Sequence, residues 1–491
     1  MGIRGAGVRM DSEVPERALV QLKQVPRLLN HCRRACGTVR PGCWSDLTHQ
    51  ITNEEILLST STDEQNPDRS TFMRGHELGT EALPVDQYYT DEFFELEKDA
   101  IWKDSWLWIG RASDLAKPGD FFVFEFDMLH SSVIIVRGKD GKIRGFHNSC
   151  RHRGSPVVFD RAGSTKYFRC TFHGWVYGLD GSLVDVTNKQ EYADLDKGCL
   201  GLKEVAVETW GGWIFLNYNP TPAHSVHEWM KPLPSALEEY FANENWYWRA
   251  GYKEVFKCNW KMMVDTQIEG YHVNSLHQPT VRGTFSPPDM ETLAFPNSLG
   301  VPGKLEWCMP SDGASGITQT NVAALAVKYG KTNPLYTDKN KAGAFSAAAD
   351  KYPGALNRAN RPDWIFDDWA IFPNTVIFPQ KDHMWIQRAW PISPHETAWE
   401  WDWYFCSEPP ENFGELFSWE QAYTTLRNIT TEDVSTVEGM QRSFRSGAVD
   451  EMILSGLETS VRGYQNRVLS VVKEYEERRA RATRPTVIGK E

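Results

Sequence analysis

CRHRGSPVVFDRAGSTKYFRCTFHGW, residues 150–175, decides how the rest of the chain is read. It places Cys150 and His152 one residue apart and, 17 residues later, Cys170 and His173 two residues apart. Two soft thiolates and two imidazoles at the tips of two loops can close a metal site. Two sites fit that inventory: a tetrahedral Cys2His2 zinc, and a Rieske [2Fe-2S] centre, in which two His replace two Cys on one of the irons. A zinc finger keeps its Cys together and its His together. Here each short motif mixes one of each, so either loop can give a thiolate to one iron and an imidazole to the other. That mixing favours the Rieske arrangement.

Outward from this stretch the sequence turns β-like. FFVFEF at 121–126, SVIIVRG at 132–138 and 143–146 after the Asp140-Gly141 turn read as short antiparallel strands, with the two metal loops as tips. A second Asp-Gly turn, Asp180-Gly181, and a last strand within TWGGWIFLNYNP, 209–220, close an all-β cluster domain at 107–222. Ahead of it, 78–106 forms a helical segment packing on the body. Thr90 is placed to cap it, Asp91 and Glu92 complement the helix dipole, and Phe93, Phe94, Leu96, Ala100 and Ile101 recur at helical spacing.

Residues 1–50 hold eight Lys/Arg against four Asp/Glu, whereas the remainder is acidic and the whole chain carries a net charge of -12. Asp11, Glu13 and Glu16 argue against a transit peptide, and we expect 1–77 to be a mobile N-terminal extension. The acidic balance argues against a nucleic-acid partner. No run approaches a membrane span. Nine Cys without a disulfide framework, among them Cys32, Cys36 and Cys43 read as ordinary thiols, suit a reducing compartment, the cytoplasm.

The region 223–480 begins with a helical connector to about residue 245 and a strand near 252–256. NTVIFPQ, HMWIQRAWPIS and TAWEWDWYF, between 374 and 405, alternate as antiparallel strands do. An amphipathic helix is expected over 413–444, a frayed tail after about Arg478, and a loop-rich segment over 310–360 that could lie over a substrate entrance. The other chemically loaded stretch is NWKMMVDTQIEGYHVNSLH, 259–277, where His272 and His277 stand five residues apart. Such a pair alone is weak in a chain with 13 His. A 2-His-1-carboxylate site on Fe(II), with positions open for O2, would also need an acid. Asp363, Asp367, Asp368 and Asp382 are candidates by proximity.

CRHRG followed by CTFHGW is similar to the cluster signature of the Rieske non-haem iron aromatic-ring-hydroxylating oxygenases, and the 259–277 stretch resembles their mononuclear-iron motif. The resemblance covers about residues 84–445 and identifies the chain as a catalytic (alpha) subunit. It implies an α+β protein: the Rieske [2Fe-2S] domain joined to a catalytic non-haem iron domain whose antiparallel sheet is covered by helices in a helix-grip, START-like fold. Cys150, His152, Cys170 and His173 would hold the cluster. His272, His277 and Asp433, the last from the Thr431-Glu432-Asp433 helix, would hold mononuclear Fe(II). Thr430 with Asp433 also outlines a helix capping box, which is the structural alternative. Glu269 stands where the family has a bridging carboxylate, expected to hydrogen-bond His272 and reach His173 of a neighbouring subunit in a homotrimer. Asp265-Thr266 departs from the Glu-Asn often found there.

No dinucleotide, flavin or plant-type ferredoxin motif occurs in the chain, so electrons from NAD(P)H must come through a separate flavin reductase, directly or through a ferredoxin. The implied activity is that of a terminal oxygenase, an oxidoreductase incorporating O2. Its substrate is expected to be apolar and aromatic, to be hydroxylated, dihydroxylated or oxidatively dealkylated. The reading from another class is a Rieske electron-transfer protein with no oxygenase chemistry. Trp364, Phe366, Trp369, Phe372 and Trp385 could line a pocket or simply form core.

Overall fold

Alternating apolar and polar side chains generate two antiparallel sheets, one around the cluster loops and one around the later histidines. The computed structural model describes residues 78–277 apart from 193, 231–237, 239 and 243–245, then 291–295, 304–310, 364–379, and 383–482 apart from 407–409. The expected extension 1–77, the segment 311–360, Asp363 and Asp382 lie outside the described residues.

β1 (Leu83–Pro84) precedes α1 (Asp91–Glu97), which passes into a π-helical turn at Lys98–Trp102. Thr90 is the N-cap residue, yet its hydroxyl donates back to the Asp86 carbonyl at 2.9 Å and caps nothing. The acidic first turn is present as expected, and Phe94, Ala100, Ile101 and Trp102 are buried.

The first sheet begins with β2 (Leu107–Arg111), β3 (Asp120–Phe126), β4 (Ser131–Arg137), β5 (Ile143–His147) and β6 (Ala162–Ser164). A small sheet of β7 (Phe168–Arg169), β8 (Val176–Tyr177) and β9 (Leu183–Asp185) follows. The chain then returns with β10 (Glu204–Trp210) and β11 (Trp213–Asn217), giving the order β2-β11-β10-β5-β4-β3-β6. Residues 209–220, expected as one strand, thus contain a hairpin turn: Gly211 and Gly212 both adopt positive φ and reverse the chain.

After α2 (Val226–Trp229), β12 (Tyr247–Phe256) opens the second sheet, and α3 (Trp260–Asp265) and α4 (Val273–Leu276) branch from it. β13 (Glu291–Phe295), β14 (Lys304–Pro310), β15 (Trp364–Ile371), β16 (Thr375–Pro379), β17 (His383–Ser393) and β18 (Glu396–Phe405) complete it in the order β12-β18-β17-β16-β15-β14-β13. One face packs under α5 (Phe413–Arg445), where Trp401 meets Tyr423 and Phe405 meets Trp419. The other face packs on the first sheet's side: Trp390 meets Phe124 and Phe126, and Tyr404 meets Trp213. β19 (Glu451–Met452) pairs with β1, and α6 (Thr459–Ala482) continues past the expected fraying point at Arg478. Its Tyr475 hydroxyl donates to Asp99.

Beneath α3 lies a buried polar network. Lys261 meets Glu97 at 2.5 Å, and Glu97 also accepts from the Trp260 indole at 3.0 Å. Asp265 accepts from Tyr88 and from Gln465, each at 2.7 Å, and burial pushes its carboxyl up to about 7. Asp265 is therefore committed to tying α3 to the N-terminal segment and to α6. No helix among the described residues is long and apolar enough to cross a membrane.

Candidate metal centres

The two cluster loops close in the same way. In the first, Cys150 N–H donates to the Ser155 carbonyl and Gly154 N–H to that of Cys150, at 2.8 and 2.9 Å. In the second, Cys170 N–H donates to Trp175 and Gly174 N–H to Cys170, both at 2.9 Å. Gly154 and Gly174, at φ +77° and +74°, sit at the same left-handed corner of each loop. That matched geometry turns both cysteines inward, where they are buried, and leaves both histidines half-buried toward the surface. The two imidazoles face each other with centroids 4.6 Å apart, and Trp175 stacks on His152.

The donor set fits a Rieske cluster on an observation independent of its sequence: His152 Nδ1 is buried with no hydrogen-bond partner. Desolvation, His173 and Arg153 all hold that imidazole below its usual pKa, in the neutral form a metal binds. Tyr177, invisible to sequence reasoning, adds a sulfur contact. Its hydroxyl accepts from Arg151 N–H at 2.9 Å and shares a hydrogen bond with Cys150 Sγ, 3.2 Å away, in which it would be the donor to a ligating thiolate. A hydrogen bond to a ligating sulfur is one of the factors that set a cluster's potential.

The second centre is built from three residues on two elements. His272 and His277 flank α4, and Asp433 enters from α5, well inside that helix. The capping-box reading of Thr430 and Asp433 is thereby overturned: both are mid-helix, and the Thr430 hydroxyl donates back to Leu426. His272 Nε2 and His277 Nε2 are 3.2 Å apart, and Asp433 Oδ1 lies 3.3 and 3.0 Å from them. Three ligand atoms with bonds of about 2.1 Å at right angles stand about 3.0 Å apart, so this triangle has the size of one octahedral face. Although Asp433 Oδ1 is this close to both imidazoles, no hydrogen bond is aligned on it; the three atoms converge on a common point. Electrically the triangle suits a cation. Burial opposes charging His272, yet Asp433 and Glu269 push it up to about 10.

Each imidazole is oriented from behind. Glu269 accepts from His272 Nδ1 and from Tyr271 N–H, and Glu432 bonds His277 Nδ1 at 2.8 Å. Carboxylates in that position fix the tautomer and raise ligand basicity. The same α5 also holds the start of the histidine segment, since Glu438 accepts from Lys257 N–H and Gln441 from Asn259 N–H. Of the sequence candidates, the described geometry brings together His272, His277, Asp433 and Glu269. Asp368 lies instead on β15, with Asp367 next to it. Glu432 and Gln267, which donates to Asp433 Oδ2 at 3.1 Å, were not anticipated. Glu432 precedes a suspected ligand in the sequence, which was the available signal, but helix periodicity alone would turn it away from its neighbour's site.

With the geometry in place, comparison with known proteins gives a consistent result. Residues 105–205 match the family model of the Rieske [2Fe-2S] domain, and residues 237–474 that of the ring-hydroxylating alpha subunit catalytic domain. The glycine betaine monooxygenase oxygenase subunit of Chromohalobacter salexigens is 26% identical, over 78% of this chain and 83% of its own. The large oxygenase component of the naphthalene 1,2-dioxygenase system of Pseudomonas aeruginosa is 32% identical, over 49% and 56%. Among solved structures, a quaternary ammonium Rieske monooxygenase described for carnitine oxidation by gut microbiota superposes with a TM-score of 0.62 at 20% identity, covering 81% of this chain and 97% of that one.

Proposed function

The chain belongs to the Rieske non-haem iron oxygenases, as a terminal oxygenase component, and we propose that within this family it oxidises a small quaternary ammonium compound at a carbon next to nitrogen. In this reading Cys150, Cys170, His152 and His173 hold the [2Fe-2S] cluster, and His272, His277 and Asp433 hold the mononuclear iron. Bound there, the two groups supply single electrons and O2 activation. The net reaction takes O2, two electrons and two protons, and gives one water and a hydroxylated N-alkyl carbon. The C–N bond then breaks to leave an aldehyde, a tertiary amine and a proton.

The observation carrying the substrate class is the sheet face under α5. By register, Asp368, Phe378, Trp385 and Trp403 form one cross-strand row, and Trp401 and Tyr252 stand in the next. Asp368 is buried at 1% exposure, and the register, continued one residue past the Trp369–Ile377 pair, puts its carboxylate on the same sheet face as these rings, the face under the Asp433 helix. Ring faces plus a carboxylate are what a permanent cation with no hydrogen to donate requires. The similarity to glycine betaine and carnitine monooxygenase oxygenase subunits agrees with that chemistry. An aromatic hydrocarbon would use the same ring faces without the carboxylate, and the naphthalene dioxygenase relative keeps it as the second reading.

This chain's own residues have defined tasks. Glu269 holds His272 Nδ1 and lies near the surface beside exposed Tyr271, while Phe172 next to His173 is 57% exposed. That placement supports a trimer in which His173 of one subunit meets Glu269 of the next, with electrons from an NAD(P)H-dependent reductase. Glu432 sets the orientation of His277. Glu432→Gln should weaken Fe(II) binding about 10- to 100-fold in chelator competition. Affinity within about twofold of the unsubstituted protein would show that Asp433 alone positions that ring.

The deciding experiment reconstitutes the iron-loaded protein with a surrogate reductase and measures O2 uptake and product with glycine betaine, carnitine, choline and naphthalene. Aldehyde released in step with O2 uptake from an ammonium compound supports the proposal. Product from naphthalene alone would replace it with the aromatic reading. About two irons per two sulfides instead of about three would reduce the protein to an electron carrier.

A further inference from the structure

The two oxygens of Asp433 keep different company. Oδ1 faces His272 and His277, whereas Oδ2 accepts a hydrogen bond from Gln267 Nε2 at 3.1 Å. The amide is itself held in place. Gln267 N–H donates to the Val264 carbonyl at 3.0 Å, fixing the backbone at the end of α3. Its Nε2 also donates to Thr266 Oγ1 at 3.3 Å, and the Thr266 proton is spent on the Met263 carbonyl at 3.2 Å. Thr266 Oγ1 can therefore only accept from Gln267. Both hydrogens of the amide nitrogen have acceptors, so the NH2 end rather than the oxygen faces Asp433.

We propose that Gln267 is a positioning residue that restricts Asp433 to one-oxygen ligation of the mononuclear iron. The proposal rests on the reading that His272, His277 and Asp433 bind that iron. A buried carboxylate with both oxygens unengaged can turn both of them to a cation and fill a position that O2 needs. A donor fixed on Oδ2 opposes that turn, because swinging Oδ2 toward the ion would carry it away from the fixed amide hydrogen and weaken that bond. Glutamine suits the task because its NH2 end donates and cannot itself ligate, whereas a carboxylate at 267 would compete for the ion.

The test uses the full-length protein with its cluster intact. Gln267→Met keeps the length of the side chain and removes the donor. The expected result is Fe(II) binding at least as tight as in the unsubstituted protein in chelator competition, because Asp433 can then offer both oxygens, with the cluster absorbance unchanged. The electron paramagnetic resonance spectrum of the Fe(II)–nitric oxide adduct should also change in rhombicity, a readout that packing alone would not move. An unchanged spectrum, or Fe(II) binding weakened about 10-fold or more, would overturn the proposal. If Gln267→Met fails to fold, the near-isosteric Thr266→Val decides. By releasing the amide it should shift the same spectrum in the same direction but less, and an unchanged spectrum again overturns the idea. Asp433→Ala run in parallel separates the two levels: if it binds iron normally, the ligand assignment has failed and not merely the role of Gln267.

Discussion

Asp433→Ala should yield a folded protein that keeps its [2Fe-2S] absorbance, loses the mononuclear iron and turns over no substrate above background. Iron analysis should fall from about three to about two per chain, with acid-labile sulfide unchanged. The selectivity follows from where each group is held. The cluster loops close on their own backbone and on Tyr177, whereas Asp433 stands on α5. α5 is anchored independently of Asp433, through Trp419 against Phe405 and through Glu438 and Gln441 on the segment before α3. The substitution removes the acid that, among the described residues, brings an oxygen to both imidazole Nε2 atoms. Two imidazoles then remain, both already engaged at Nδ1, and two nitrogen ligands hold Fe(II) poorly at neutral pH. Retention of full iron would point to another carboxylate, and Glu432, 2.8 Å from His277 Nδ1, would be the first to examine.

How far this centre could be read beforehand depended on the range of its contacts. The proposed cluster ligands lie within one 26-residue stretch, and the order in which Cys and His alternate carries their chemistry. His272 and His277 are likewise local, because a four-residue helix turns both toward one point. Asp433 is more than 150 residues away, and only resemblance to a known motif selected it over four other aspartates; no periodicity connects α4 to α5. Glu432 and Gln267 were out of reach for the same reason, since each acquires its partner from the docking of α5 on the α3–α4 segment. Alternation announced the strands of the second sheet but not which of their faces meets α5. That face is decided by strand order and by the helix lying across Trp401 and Phe405. Thr90 and Thr430 failed as caps through competition: each hydroxyl found a carbonyl four residues back.

Lys261→Met should destabilise the protein by about 3–5 kcal/mol, the cost of leaving a buried partner charge alone. Lys261 and Glu97 are both fully buried, 2.5 Å apart at the closest atoms. Burial by itself drives Glu97 up and Lys261 down in pKa, so each depends on the other to remain charged. The rings of Tyr88, Phe93 and Trp260 surround Lys261 Nζ at 5.2–5.4 Å, so water cannot take over when the ammonium is removed. Glu97 would keep only the Trp260 indole as a donor. Adding Glu97→Gln to Lys261→Met removes the stranded charge and should recover most of the loss, since a buried pair replaced on both sides is often nearly neutral. Thermal and denaturant midpoints on the cluster-loaded protein measure both variants. A single substitution within about 1 kcal/mol of the unsubstituted protein would mean that the pair carries no net charge separation to lose. The pair also lies under α3, whose far end leads through Gln267 and Glu269 to the histidines. The single variant should therefore lose Fe(II) affinity along with stability, and the double variant should regain both. Recovery of stability without iron binding would show that Lys261 orders the metal segment by more than its charge.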